Sequence, residues 1–134
     1  SEGRGGRGEA PSPLRYLLSS LAFCQQVWYA KGAAIVGCEV EALEINVETF
    51  MDMRGEHLVD EIPTHPQWFL VVAQVDSPSS VECVEAMVVE ANRRCPVYGL
   101  LSQAVPIYSR LVHNGVVLND QEPPGPPDLT RENE

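Results

Sequence analysis

Pro13-Leu14-Arg15-Tyr16-Leu17-Leu18-Ser19-Ser20-Leu21-Ala22-Phe23-Cys24-Gln25-Gln26-Val27-Trp28-Tyr29-Ala30-Lys31 is the stretch on which the rest of the chain depends. Leu14, Leu17, Leu21, Cys24 and Trp28 recur at spacings of three and four, which puts them on one face of a helix. Leu18, Ala22, Phe23 and Val27 make the other faces nearly as apolar, so the helix should be buried on most sides. Polar breaks at Arg15, Ser19, Ser20, Gln25, Gln26 and Lys31 exclude a membrane span. Ser12 suits the N-cap, Pro13 the first helical position, and Gly32 the stop. Cys24 sits in the middle of this helix.

Working outward, the period changes to two over Cys38–Met51, which reads as a long half-buried strand with an acidic solvent face of Glu39, Glu41, Glu44 and Glu48. A slip at Ala42-Leu43 predicts a bulge. Gln67–Asp76 is almost continuously apolar and reads as an interior strand. Ser79 and Glu82 form a capping box ahead of a second helix ending at Cys95, with Val81, Val84, Val88, Ala91 and Cys95 on its stripe. Pro96 ends that helix and can start a short one over Val97–Ala104. Pro106–His113 alternates as a last strand, Asn114-Gly115 signals a turn, and Val116–Leu118 a short paired piece. Residues 1–10 are a flexible glycine-rich lead-in, 11–120 one domain, and 121–134 a disordered, acidic, proline-rich tail. The fold class is α+β: a mostly antiparallel sheet packed on two helices, with the long helix central.

Charge narrows the function. Nine basic residues against nineteen acidic ones leave a formal −10. Such a surface repels phosphate backbones and anionic membranes, so neither nucleic acid nor membrane is an expected partner. No signal-like apolar segment opens the chain, and a cytoplasmic location is expected. There the four cysteines act as core fillers, metal ligands or redox groups rather than as a static disulfide framework. They lack the short spacing of a zinc site, and His57, His65 and His113 are scattered. No cofactor is expected. Cys24 and Cys95 both sit on apolar helix faces, where two helices of a small core meet. Arg93, Arg94 and the start of a new helix beside Cys95 favour a thiolate there. Read from the residues alone, the pair is either space-filling or redox-active. Cys38, on a strand, and Cys83, on a helix, read as structural.

Three motifs in register resemble the OsmC/Ohr family of osmotically inducible and organic hydroperoxide resistance proteins. They are Ala10-Pro11-Ser12-Pro13-Leu14 before a helix with a central Cys, Phe50-Met51-Asp52-Met53-Arg54-Gly55 after a strand, and Arg93-Arg94-Cys95-Pro96-Val97 after a second helix. The resemblance spans Gly3 to His113. It implies an intertwined homodimer with sites at the subunit interface. It also implies a thiol-dependent peroxidase in which Cys24 attacks an organic hydroperoxide and Cys95 resolves the product as a disulfide. An external dithiol is the implied reductant. Leu14 stands where organic-hydroperoxide members carry a Glu, ten residues before Cys24. The family's strands and activating arginine precede the glycine-rich segment with which this sequence opens, so Arg15 and Arg54 are the candidate substitutes. The expected consequence is a sheet edge covered by dimerisation or by a re-ordered element. The alternative function is a shortened, catalytically impaired dimer acting as a binding or scaffold protein.

Overall fold

The computed structural model describes residues 6–125; residues 1–5 of the expected lead-in and 126–134 of the expected tail lie outside them. Helix α1 spans Pro13–Val36, with the Ser12 side chain accepting from the Arg15 N–H at 3.4 Å and proline in the first turn. It runs past Gly32 and stops at Gly37, whose φ of 74° closes it with a left-handed turn. Gly32 is an interior residue because α2, Val81–Arg94, approaches there: a Cβ on Gly32 would lie 2.8 Å from the Met87 carbonyl oxygen. The buried stripe of α1 is Leu21, Gln25, Tyr29, Gly32 and Ala33. That is one position round from the expected stripe, which leaves Cys24 and Trp28 half-buried. Tyr16, Phe23, Val27 and Ile35 are exposed on the outside.

The sheet has four strands in the order β1-β2-β3-β4. Strand β1, Ala42–Phe50, pairs antiparallel with β2, Trp68–Asp76, in unbroken register from Ala42 opposite Asp76 to Phe50 opposite Trp68. The expected bulge is absent because Cys38–Glu41 precede the strand. The register shift lies instead between Leu111 and Val112, where β3 (Ile107–His113) meets β4 (Val116–Asp120). Leu43, Ile45 and Val47 face inward while Glu44, Asn46 and Glu48 are exposed, as the alternation required. β3 and β4 pair antiparallel through Asn114-Gly115, both at positive φ, the geometry of a two-residue hairpin. β2 and β3 are parallel, joined through α2 and the short α3, Pro96–Ser102. The sheet is thus mixed, with a parallel central pairing and a third helix. Among the described residues, none pairs with the outer edge of β1.

Ser80 caps α2 by accepting from the Cys83 N–H at 3.2 Å. Ser79, the expected cap, accepts instead from the Glu39 N–H at 2.9 Å and ties α2 to the chain entering β1. The core is Tyr29 and Ala33 of α1, Ala73 and Val75 of β2, Val84, Met87 and Ala91 of α2, and Leu111 of β3, all buried. Leu21, Phe69 and Val71 form a second buried group under α3.

The α1–α2 approach has a measurable cost. An alanine in a helix is worth about 1 kcal/mol more than glycine by propensity. At Gly32 the neighbour is backbone carbonyl, which yields only if a whole helix shifts. Gly32→Ala should therefore lower stability by about 1–3 kcal/mol, read as a fall in the thermal unfolding midpoint; an unchanged or raised midpoint refutes the close approach.

Candidate functional site

Cys24 lies in the middle of α1, and Cys95 sits between α2 and α3. Seventy-one residues apart in sequence, their sulfurs are 2.9 Å apart and share a thiol hydrogen bond. Both thiols are free. The separation is inside van der Waals contact and within reach of an S–S bond of about 2.0 Å. The two sulfurs differ in access: Cys95 is 2% exposed, while Cys24 is half-exposed.

Pro96 builds this corner. It cannot continue α2, and as the first residue of α3 it has no N–H to leave unpaired. Cys95 therefore ends one helix and starts the next: its N–H bonds the Ala91 carbonyl at 2.9 Å, and its sulfur accepts from the Tyr98 N–H at 3.4 Å. The preceding amide, that of Val97, lies near enough to the Cys24 sulfur to pull its ionisation down. The first turn of α3 thus brings a backbone N–H towards each sulfur.

These amides do not dominate the electrostatics. Burial, followed by the hydrogen bond and charge of Cys95, pushes the Cys24 thiol up, against the pull of the Val97 N–H. Burial likewise raises Tyr29 far above the ordinary phenol range and raises Tyr98; the Cys95 sulfur adds to both. The arginines expected to favour a thiolate beside Cys95 are engaged elsewhere. Arg93 and Arg94 both pair with Glu90, at 3.1 and 2.7 Å. Arg54 pairs with Asp52 at 2.8 Å. It lines a cavity of about 530 Å³ with Phe50, Trp68 and Tyr108 that contains neither Cys24 nor Cys95.

Gln25 is a neighbour that reading the sequence missed. Its side chain is fully buried beside Cys24, and neither amide atom has a hydrogen-bond partner among the described residues. The signal was its place between Leu21 and Tyr29, four residues from each, on the face that proved to be inward. Among the described residues, no group of three or more His, Cys, Asp or Glu gathers as a metal site, and no helix is long and apolar enough to cross a membrane.

Residues 6–110 match the family model described as OsmC-like protein. Among solved structures, the chain is similar to an OsmC-like protein from Mycoplasma pneumoniae (TM-score 0.65, 20% identity, 81% of this chain and 78% of that one). It is similar also to an organic hydroperoxide resistance protein OsmC from Legionella pneumophila (TM-score 0.65, 17% identity, 84% and 77%). A third is an organic hydroperoxide resistance protein from Elizabethkingia anophelis (TM-score 0.67, 9% identity, 85% and 77%). At these identities the likeness is one of fold. No curated protein matches by sequence.

Because Cys95 contributes two of the effects that raise the Cys24 thiol, Cys95→Ser should lower its ionisation midpoint. pH-dependent alkylation read by mass spectrometry should show the wild-type midpoint above the ordinary thiol value of about 8.5, and the variant's below the wild type's. Equal midpoints would contradict the thiol–thiol contact.

Proposed function

The chain belongs to the OsmC-like family, and from that premise we propose that it is a thiol-dependent peroxidase acting on organic hydroperoxides through Cys24 and Cys95. The observation that carries the reading is the 2.9 Å contact between two free thiols of unequal exposure. The half-exposed sulfur of Cys24 is the one a substrate reaches; the buried sulfur of Cys95 already touches it.

The chemistry proceeds in two steps. The Cys24 thiolate bonds one peroxide oxygen, the O–O bond breaks, and the other half leaves as an alcohol after taking a proton. Cys24 is then a sulfenic acid. The Cys95 thiolate attacks that sulfur, hydroxide leaves as water, and the disulfide closes. An external dithiol returns both thiols by exchange. The apolar group that α1 and α3 form next to the two thiols, with Leu18, Leu21, Val97 and Leu101 in it, favours an organic hydroperoxide over hydrogen peroxide. A reducing compartment, the cytoplasm, supplies the dithiol.

The same reading includes a homodimer. Tyr16, Phe23, Val27 and Ile35 leave an apolar strip on the outside of the longest helix, and a second copy laid along it would bury that strip. Under this reading Phe23→Asp with Val27→Asp yields a monomer by light scattering; a double variant that keeps the parent's mass removes α1 from the interface.

One observation favours a second reading, a catalytically impaired dimer acting as a binding or scaffold protein. Cys24 is held protonated by burial and by Cys95, and the thiolate is the nucleophile. Reduced protein mixed with cumene hydroperoxide separates the two. A peroxidase consumes two thiols and forms the Cys24–Cys95 disulfide; Cys24→Ser falls to the uncatalysed background, and Cys95→Ser stops at a sulfenic acid trapped by dimedone. If Cys24→Ser consumes peroxide as fast as the parent, the peroxidase reading fails.

A further inference from the structure

We propose that Cys38 and Cys83 are a second oxidisable dithiol, which a small-molecule disulfide of the glutathione class converts to an intramolecular disulfide. It would lie at the end of the α1–α2 seam opposite Cys24 and Cys95. The proposed peroxidase chemistry makes no use of either residue.

The backbone on both sides is fixed so that these two residues face each other. Gly37 reverses the chain at the end of α1, and the Cys38 N–H bonds the Ala33 carbonyl at 2.8 Å. Immediately after it, the Glu39 N–H bonds the Ser79 hydroxyl at 2.9 Å, and the Glu39 carbonyl accepts from the Ser77 hydroxyl. One turn into α2, the Cys83 thiol donates to the Val36 carbonyl at 3.9 Å. The segment 36–39 is therefore clamped against 77–83 on either side of the two sulfurs. Cys38 belongs to the buried cluster against which Cys83 packs, and the nearby Cys38 sulfur pushes the Cys83 thiol up. A second sulfur as a neighbour separates the pair from ordinary core fillers, which present sulfur to carbon.

Access exists from two directions. Cys83 is half-exposed, and Cys38, though buried, lines a depression of about 530 Å³ between α1 and β1 with Tyr29, Ala33 and Leu43. The exchange balances without another reactant. The Cys83 thiolate attacks the small disulfide RSSR and releases one RSH, leaving a mixed disulfide. The Cys38 thiolate then attacks the Cys83 sulfur and releases the second RSH. The protein dithiol is oxidised by two electrons and one RSSR is reduced to two RSH. The twelve residues from Cys24 to Val36 span about 18 Å of helix, so the two dithiols do not exchange within one chain.

The test uses a Cys24→Ser, Cys95→Ser chain, in which only Cys38 and Cys83 remain, treated with oxidised glutathione. Residual thiols are then alkylated and the peptides mapped. The expected result is joint loss of both thiols and a linked Cys38–Cys83 peptide that dithiothreitol reverses. Persistent glutathione on Cys83 with Cys38 still alkylatable overturns the proposal, as does full alkylation of both. If the double variant does not fold, the same map on the wild-type chain decides, since the Cys38–Cys83 peptide is distinct from the Cys24–Cys95 peptide. Its presence or absence is independent of whether peroxide is consumed.

Discussion

The structure depends on how closely α1 and α2 can pack. They run antiparallel, with Cys24 against Cys95 at one end, Gly32 against Met87 in the middle, and Val36 against Cys83 at the other. Only a residue without a Cβ allows the backbones to meet at Gly32. Widening that point would separate the helices along their length, because packed helices move as rigid bodies. Leu21, Tyr29 and Ala33 would lose their cover, and both sulfur contacts would open. The seam is therefore one constraint with consequences for core and chemistry together.

Much of this was legible in the sequence because it rests on local patterns. The Ser12-Pro13 start, the alternation of Leu43 to Val47 and the Asn114-Gly115 hairpin are decided by a few adjacent residues, and each appears where the pattern put it. The errors occur where a distant part of the chain overrides a local signal. Gly32 has the composition of a helix stop and is a contact point, because α2 lies against it. Ser79 has the composition of a cap and is a tie to Glu39, which lies 40 residues earlier. Strand direction follows the connections: the sheet is mostly antiparallel, as the pattern implied, and the one parallel pairing, β2 with β3, lies where a helical crossover joins the strands.

The site divides along the same line. That Cys24 and Cys95 meet was legible as two apolar stripes, each ending or centring on a thiol, and the structure joins them. The role of the neighbouring arginines was not. Arg93 and Arg94 sit three and four residues from Glu90, the spacing at which helix side chains pair, and that local attraction takes them away from the sulfur. A basic residue next in sequence to a cysteine is thus poor grounds for a thiolate when a carboxylate one turn earlier competes for it.

Among the described residues, the groups that bear on the thiols are neutral: the amide N–H groups of Val97 and Tyr98, two phenols held protonated by burial, and the Gln25 amide, which has no hydrogen-bond partner among those residues. Such surroundings stabilise a neutral thiol pair and would stabilise a disulfide at least as well, since neither carries charge. They oppose only the thiolate between those two states. Under the proposed peroxidase reading, attack by Cys24 needs a charge-stabilising contribution at the moment of reaction, from a group that approaches its exposed side. Gln25 approaches from the buried side, and a burial-raised phenol cannot supply a positive charge. On that reading the half-exposed face of Cys24, on the helix whose outer strip is apolar, is where the contribution would arrive, and completing the outer surface of α1 and activating its cysteine would be parts of one requirement.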